Sequence, residues 1–327
     1  MNASAPTADS LRAALAGLLG GLPPKQATQA VDRLIANYRG TTPTDAPVLR
    51  DRSDVAAYAA YRMPATFEAV RGALAALRAA APAWEPRTHT DVGGGTGAAS
   101  WAVAEAWGER PPRSTVLDWA EPALALGREL AVGALDAEWR TARIGGALKL
   151  DDTDLVTVSY VLKELTPADR DALVTEAARA AQTVVIVEPG TPDGYERIIA
   201  ARTRLIEAGF TVAAPCPHSG TCPIEPGTDW CHFAARVSRS SLHRKVKGGS
   251  LPYEDEKYGY VAATRLPPSP AASRITRRPQ IRKGMVQLDL CGPDGLGRDT
   301  VTKRHGPLYR QARDAEWGDS WPPEDEG

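Results

Sequence analysis

The spacing of apolar and polar residues changes twice along the chain. Up to about residue 80, apolar positions recur at helical spacing, as in the run QATQAVDRLIANYRG. A further helix is predicted from Ser53 to an interruption at Pro64, and another from the capping residue Thr66. We therefore predict an N-terminal helical region over residues 1–84.

From about residue 87, short β-type runs alternate with helical ones. The strand-like runs are THTDVG, STVLDW, WRTARI, DLVTVSY and TVVIVEPG, and the segments between them are long enough for helices. This alternation predicts an α/β domain with a doubly wound, parallel sheet over residues 85–265. Two more strand-like runs, DWCHFAARV and YGYVAATR, lie near its end. The last segment, 266–327, is rich in proline and arginine, and we treat it as a basic extension.

The glycine-rich segment TDVGGGTGAAS lies where the first predicted strand gives way to a helix, which is where a doubly wound sheet binds its ligand. Gly93, Gly95 and Gly97 allow a tight turn and a close approach to a ligand. Asp91 precedes the turn and suits the amino group of S-adenosylmethionine (SAM), while Asp118 can accept from both ribose hydroxyls. We predict SAM, with a dinucleotide-binding fold and a purely structural turn as alternatives.

The second chemical signal is a loop, residues 214–233, that holds three of the four cysteines of this chain. Thiolates are suitable ligands for zinc or an iron–sulfur cluster, and four complete either site. The spacings of five and eight residues differ from the short pairs of structural zinc sites. The residues alone leave a cluster, zinc and ordinary buried thiols open. The candidate ligands are Cys216, Cys222, Cys231 and Cys291, with His218 and His232 as competitors.

The charge of the chain is unevenly distributed. The formal net charge is -1, yet residues 236–310 carry sixteen Lys/Arg against six Asp/Glu, a local net of +10. This basic segment favours a polyanionic partner, nucleic acid above all, over a merely solvated surface. Its first group of basic residues joins the last two strands and is expected near the cofactor edge, and the second lies in the extension. They are Arg239, His243, Arg244, Lys245 and Lys247, then Arg274, Arg277, Arg278, Arg282 and Lys283.

The sequence also bears on the compartment. No apolar run approaches the roughly 20 residues needed to span a bilayer, so we expect no membrane association. The first twenty residues contain one arginine and no lysine, unlike a secretory signal or a mitochondrial presequence. We expect a cytoplasmic, monomeric protein. A reducing cytoplasm makes a disulfide framework a poor explanation for the cysteines.

Several stretches together resemble one known family. They are AAYAAYRMPATFEAV, VGGGTG, VSYVLKEL, VIVEPGTPDGY, the CPH…CP…WCHF loop, LPYEDEKYGYVAATR and KRHG…YRQARDAEWGDSW. The chain resembles the seven-stranded class I SAM-dependent methyltransferases over the sheet. Within them it is similar, over residues 55–321, to the methyltransferase-like proteins of the mitochondrial small ribosomal subunit and their bacterial relatives. Because the first twenty residues do not resemble a mitochondrial presequence, we expect a bacterial member of this family, with mitochondrial counterparts among its organellar relatives.

The resemblance implies a role in assembling the small ribosomal subunit, with contacts to its RNA and to ribosomal proteins. It also implies an iron–sulfur cluster, of the 4Fe-4S type, with Cys216, Cys222, Cys231 and Cys291 as the ligands. Because the cysteine loop follows a helix that returns from the cofactor edge, we expect a structural cluster away from the methyl-donor pocket.

Catalytic residues are not evident in the sequence. The exit of the fourth strand reads SYVLKEL, without the Asn/Asp-Pro-Pro-aromatic motif of many nucleic-acid amino methyltransferases. Pro215 and Cys216 form a proline-cysteine pair in the wrong place, and Lys163 and Glu164 are more consistent with structural roles. An RNA methyltransferase and a non-catalytic assembly factor both fit. A small-molecule methyltransferase fits the basic surface less well.

Overall fold

The structure is a computed structural model. It describes residues 8–19, 52–225, 227–239 and 251–323, with positions 23, 25, 26, 28–30, 32 and 33. The N-terminal region contributes α1 (Ala8–Leu19) and α2 (Arg52–Ala80), which pack on one face of a large sheet. The run QATQAVDRLIANYRG falls largely outside the described residues.

Helix α2 continues through Pro64, so the predicted interruption there, with a new helix starting at Thr66, is wrong. A proline inside a helix removes one backbone hydrogen bond and costs about 3 kcal/mol. Here Met63 and Phe67 flank the proline and are at most 2% exposed in the main core. Burial of two such side chains contributes about 3 to 6 kcal/mol, enough to offset the proline.

The large sheet is the predicted doubly wound α/β sheet. Its strands run in the order β3-β2-β1-β4-β5-β8-β6; β1 to β5 are mutually parallel and β8 is antiparallel. The strands are β1 (Thr88–Val92), β2 (Arg113–Asp118), β3 (Ala137–Thr141), β4 (Thr153–Ser159), β5 (Ala181–Pro189), β6 (Thr211–Ala214), β7 (Phe233–Ser238) and β8 (Tyr253–Thr264).

Helices cover both faces of this sheet. Because successive strand side chains point to opposite faces, Leu155 and Val185 join one core and Val156 and Val184 join the other. The first core packs against α2, α3 (Ala98–Ala106) and α4 (Glu121–Ala131). The second core packs against α5 (Pro167–Ala180) and α6 (Pro192–Glu207).

The cysteine loop interrupts the last strand position of the sheet. Strand β6 pairs with the end of β8, where Ala214 lies opposite Ala262, and β7 pairs with its beginning, where Phe233 lies opposite Tyr258. The two short strands therefore follow one edge of β8 in succession. The residues between them, 215–232, leave the sheet edge at mid-height and return to it.

A second, five-stranded sheet follows, where the sequence analysis predicts only a basic extension. Strand β11 pairs with β9 and β10 along one edge and with β12 along the other, and β13 pairs with β9. A small separate core of apolar residues lies beneath it, including Ile275 and Trp321. Its elements are β9 (Ser273–Ile275), β10 (Gln280–Arg282), β11 (Met285–Gly292), β12 (Gly295–Thr302), α7 (Pro307–Asp314) and β13 (Ser320–Trp321).

The predicted division into residues 1–84, 85–265 and 266–327 stays a prediction. Helix α2 ends at Ala80 and β8 ends at Thr264, close to the two proposed boundaries.

Candidate cofactor cleft and cysteine cavity

The glycine turn joins β1 to α3 at the carboxyl end of the parallel strands. Gly93, Gly95 and Gly97 have φ angles of 70°, 54° and 83°, a left-handed region that disfavours side chains. The amides of Gly93 and Gly94 donate to the carbonyl of Leu117 at 2.8 and 3.2 Å, which ties the turn to β2. The sequence-predicted turn is therefore formed at the edge where doubly wound sheets bind ligands.

The three glycines differ in what a side chain would meet. A Cβ at Gly93 would lie 2.2 Å from a methyl of Val161, and one at Gly97 would lie 2.5 Å from the ring of Trp139. At Gly95 the nearest atom is Asp118 Oδ2, at 3.7 Å. Gly93 and Gly97 are therefore required by packing, whereas Gly95 leaves room above the turn.

The carboxylate of Asp118 lies beside that room. Its Oδ2 accepts from the amide of Gly95 and its Oδ1 from the amide of Ala120, both at 2.9 Å. Burial raises the pKa of Asp118. Each oxygen still has a lone pair for a further donor, so the ribose-binding role predicted for Asp118 is chemically available.

Asp91 lies beneath the turn and is fully buried. Its two oxygens accept from Ser100 Oγ at 3.1 Å and from Thr157 Oγ1 at 3.0 Å. The network continues from Thr157 to His89 Nε2 at 2.8 Å, and from His89 Nδ1 to Ser114 Oγ at 2.9 Å. Burial raises the pKa of Asp91 to about 6 and lowers that of His89 to about 3. Asp91 is therefore placed to hold the glycine turn in position. Its contact with a methionine amino group stays a prediction.

An aromatic residue beside Asp118 was not predicted from the sequence. Trp119 directly follows Asp118 and is 39% exposed, which is unusual for so large an apolar side chain. The signal in the sequence is its position, one residue beyond the carboxylate at the end of a strand.

The exit of β4 is strained and held by its neighbours. Tyr160 has a φ of 62°, the single positive value among the described residues that are not glycine. Its hydroxyl donates to Glu256 Oε1 at 3.0 Å, and Arg62 lies 5.4 Å from the ring centroid and 3.0 Å from the same Glu256 oxygen. Glu188, at the end of β5, accepts from the amide of Leu162 at 3.1 Å.

Lys163 and Glu164 lie on the short 3-10 turn after this exit, and both are exposed. Desolvation of its carboxyl group by the surrounding chain raises the pKa of Glu164 to about 7. The carboxylates of Asp118 and Glu188 raise that pKa further. Glu164 therefore lies near the cofactor cleft, although no substrate-directed role follows from this.

All four cysteines line one cavity. Cys216, Cys222 and Cys231 come from the loop between β6 and β7, and Cys291 comes from β11 of the second sheet. All four are free thiols. The structure therefore brings Cys291 to the loop across sixty residues of sequence, as the ligand prediction requires.

The cavity lies far from the glycine turn because three strands, β4, β5 and β8, separate β1 from the β6–β7 edge. At a spacing of about 4.8 Å per strand, four steps give about 19 Å. From the sequence we expected the cysteine loop at the end of the strands opposite the glycine turn. In the structure the loop leaves the edge of β8 part of the way along that strand, so the two sites are separated across the width of the sheet.

The thiols are largely shielded from water. Burial raises the pKa of Cys216 and Cys231, and it raises that of Cys291 to about 11. The hydroxyl of Tyr195 lies 3.2 Å from Cys222 Sγ. When unliganded, the thiols of Cys216, Cys231 and Cys291 are therefore protonated at neutral pH.

Among the described residues, no three His, Cys, Asp or Glu side chains come close enough to hold a single metal ion. His218 lines the cavity. His232 is packed between Trp230 and Trp317, with ring centroids at 5.3 and 4.8 Å, and its Nδ1 lies 3.2 Å from the carbonyl of Trp230.

Part of the predicted basic surface is not available to a partner. Arg274 is buried, and its guanidinium donates to the carbonyls of Pro215 and Gly318 at 3.0 and 2.9 Å, so its prediction as a surface cation is wrong. Arg239 donates to Glu254 at 2.7 Å, and Arg277 pairs with Asp229. His243, Arg244, Lys245 and Lys247 lie outside the described residues.

The other three predicted cations of the extension are exposed: Arg278 lies just before β10, and Arg282 and Lys283 lie at the turn between β10 and β11. Within the described chain, Arg278, Arg282 and Lys283 form no ion pair. The amide of Lys303 donates to the carbonyl of Gly284 at 3.2 Å, which brings two further exposed cations to the same turn. We call Arg278, Arg282, Lys283, Lys303 and Arg304 the hairpin surface.

Among the described residues, no helix combines the length and the apolar character needed to cross a bilayer. The cytoplasmic location and the monomeric state stay predictions.

Two solved structures with similar folds are methyltransferases. One is magnesium protoporphyrin IX methyltransferase from Synechocystis PCC 6803 with bound SAH, with a TM-score of 0.40, 14% identity, and coverage of 62% of this chain and 84% of that one. The other is the N-methyltransferase NodS from Bradyrhizobium japonicum WM9 in complex with S-adenosyl-L-homocysteine. Its TM-score is 0.39, its sequence identity is 15%, and the match covers 61% of this chain and 87% of that one. Both scores lie below 0.5, so neither likeness bears on the substrate.

Two curated relatives are mitochondrial proteins by name. The human "Ribosome assembly protein METTL17, mitochondrial" is 31% identical over 290 residues, which are 81% of this chain and 62% of that protein. The "Rsm22-cox11 tandem protein 2, mitochondrial" of Schizosaccharomyces pombe is 28% identical over 182 residues, 42% of this chain and 24% of that protein. The chain thus spans less than two thirds of either relative. The profile of one family, described as "Mitochondrial small ribosomal subunit Rsm22", matches residues 52–322, and the chain belongs to that family.

Proposed function

We propose that this protein binds SAM at the glycine turn and acts in the assembly of the small ribosomal subunit. The observation that carries the cofactor proposal is the room above Gly95, with the carboxylate of Asp118 beside it. These residues fit SAM, because Asp118 can accept from ribose hydroxyls and the exposed ring of Trp119 can stack on adenine. When bound, SAM supplies an electrophilic methyl group. Support for the ribosomal role comes from the family and from the name of the human relative.

The cofactor proposal is tested by calorimetry on the purified protein with SAM and with a nicotinamide dinucleotide. Binding of SAM with no measurable binding of the dinucleotide is expected. Tighter binding of the dinucleotide would contradict the proposal and restore the alternative fold assignment.

A non-catalytic assembly factor is the second candidate, and Tyr160 favours it. Many methyltransferases place acceptor-binding groups at the exit of the fourth strand, yet here the tyrosine hydroxyl is already hydrogen-bonded to Glu256, which is ion-paired with Arg62. Comparison of the rRNA methylation maps of cells with and without the protein separates the two candidates. One missing methyl group indicates an enzyme, whereas an unchanged map with defective subunits indicates an assembly factor.

We further propose that the cysteine cavity holds an iron–sulfur cluster of the 4Fe-4S type, with Cys216, Cys222, Cys231 and Cys291 as ligands. A single zinc ion requires four sulfur atoms at about 2.3 Å, and thus about 3.8 Å from one another. The described residues offer no such compact group, although all four thiols line one cavity, which suits a larger multi-atom group. The bound group would join the loop of the first sheet to β11 of the second.

Anaerobic purification with iron, sulfide and zinc analysis tests this site. Iron and acid-labile sulfide in equal amounts are expected. Stoichiometric zinc without iron or sulfide would assign the cavity to the rival metal.

RNA is the proposed partner of the hairpin surface. Its exposed cations come from two segments brought together at one turn, and within the described residues those of Arg278, Arg282 and Lys283 are not neutralised by acidic side chains. Contacts of such groups with phosphates are independent of sequence and depend on salt. Crosslinking followed by RNA sequencing tests this contact. Recovery of small-subunit rRNA at the hairpin surface is expected, and its absence there would contradict the proposal.

A further inference from the structure

Two buried arginines lie against the cysteine cavity without a compensating carboxylate. Arg202 is 3% exposed and Arg274 is 6% exposed, and both line the cavity. Within the described residues their hydrogen-bond partners are uncharged: Arg202 donates to the carbonyls of His218 and Gly220 at 2.9 and 2.7 Å. Burying a guanidinium away from any anion costs several kcal/mol in general, so such groups are usually paired.

One donor of Arg202 lacks a partner among the described residues. Its Nε is buried and forms no hydrogen bond with them. Arg202 lines the same cavity as Cys216 and Cys291. The unpaired donor and the unpaired charge are therefore adjacent to the proposed ligands.

A third donor comes from the same helix. Tyr195, the last residue of the run VIVEPGTPDGY, lies seven residues before Arg202 on α6, so both side chains project from one helical face. Its hydroxyl lies 3.2 Å from Cys222 Sγ, and its side chain is 6% exposed.

We infer that Tyr195, Arg202 and Arg274 form a donor shell that stabilises the negative charge of a metal–thiolate group in the cysteine cavity. The inference rests on the proposed metal site and adds the residues that tune it. Hydrogen bonds and positive charge near the sulfur atoms of a cluster favour its more negative, reduced state. The donor shell therefore raises the reduction potential of the group and strengthens its retention.

Tyr195→Phe is the sharpest test, because it removes one hydroxyl and keeps the ring. Tyr260→Phe is the matched control: Tyr260 lines the same cavity and is 4% exposed, but its hydroxyl is not hydrogen-bonded to a thiol. Iron and sulfide content is measured first on the full chain, and the potential is then measured by an EPR-monitored redox titration.

We expect Tyr195→Phe to retain the cluster and to lower its potential. A tenfold change in the ratio of reduced to oxidised protein corresponds to about 59 mV for a one-electron couple. Tyr260→Phe is expected to leave the potential unchanged. Arg202→Met should lose more iron than Arg202→Lys, which keeps the charge.

The outcomes separate the donor shell from the metal site itself. An unchanged potential in Tyr195→Phe, with iron and sulfide present, overturns the donor shell and leaves the cluster in place. A wild-type protein with only zinc overturns the cluster. The donor shell then predicts that Tyr195→Phe loses zinc at a lower chelator concentration than Tyr260→Phe, and equal loss overturns it. A wild-type protein without any metal overturns both proposals.

Discussion

Replacement of Gly95 by asparagine separates cofactor binding from folding. A Cβ at this position has Asp118 Oδ2 as its nearest neighbour, at 3.7 Å, so the unliganded protein has space for the first atom of a new side chain. Its remaining atoms fill the room where the ribose is proposed to bind. Gly93 and Gly97 do not allow this test, because a Cβ there would collide with Val161 or Trp139.

The loss of folding stability expected for Gly95→Asn is small, and a control variant with the same loss is available. Gly95 has a φ of 54°, and a left-handed conformation costs roughly 1–2 kcal/mol for ordinary residues and less for asparagine. Gly133 has a φ of 74° with no atom within 4 Å of its Cβ position, and it follows α4 at the opposite edge of the sheet. Gly133→Asn therefore carries the same backbone penalty away from the cleft. Both variants should melt within about 4 °C of the wild type.

The expected loss of binding follows from the contacts displaced. Two hydrogen bonds from ribose hydroxyls to the charged Asp118 carboxylate contribute about 1.5 to 3 kcal/mol each. Their loss lowers the affinity for SAM at least a hundredfold, since 1.4 kcal/mol corresponds to a factor of ten. Calorimetry should therefore show no binding in Gly95→Asn and unchanged binding in Gly133→Asn. Equal affinity in the two variants would refute the placement of the cofactor.

The remaining predictions concern the cleft, the cysteine cavity and the hairpin surface. Trp119→Ala should weaken SAM binding about tenfold without lowering the melting temperature, because the ring is exposed, and an unchanged affinity in calorimetry would exclude stacking. Cys291→Ser should reduce the iron and sulfide content and increase hydrogen exchange in the second sheet, because the bound group no longer joins that sheet to the loop. An increase in exchange confined to the 215–232 loop would contradict that connection. Changing Arg282, Lys283 and Lys303 to glutamine should lower the slope of log affinity for rRNA against log salt by roughly 0.7 to 0.9 per lost contact. The control replaces the exposed Arg87, Arg110 and Arg113, beside the amino ends of β1 and β2, with glutamine and should leave the slope unchanged. Equal effects of the two sets would show that RNA binding depends only on the net charge of the protein.

Much of the first sheet could be predicted because its signals are local. Short apolar runs gave β1, β2, β4 and β5, and the turn glycines followed a strand as expected. The passage of α2 through Pro64 could not be predicted in this way, since tertiary burial of Met63 and Phe67 overrides a local penalty.

The second sheet was missed for the opposite reason. Its strands carry many exposed polar residues, so their apolar alternation is weak, and only turn sequences such as CGPDGL marked the β11–β12 hairpin. Arg274 illustrates the consequence: in sequence it belongs to a basic run, while in space it lies against the carbonyl of Pro215 beside the cysteine loop. Neither the burial of Arg274 nor the approach of Tyr195 to Cys222 has a local signature.

The central claim, that this chain binds SAM and serves the assembly of the small ribosomal subunit, is tested most directly in cells of one genetic background. Cells that carry only the Gly95→Asn protein are compared with cells that carry the wild type, the Gly133→Asn protein or no copy, by sedimentation of their ribosomal subunits. The account predicts few mature small subunits without the protein and with Gly95→Asn, and normal profiles with the wild type and Gly133→Asn. Normal small subunits in cells without any copy would contradict it.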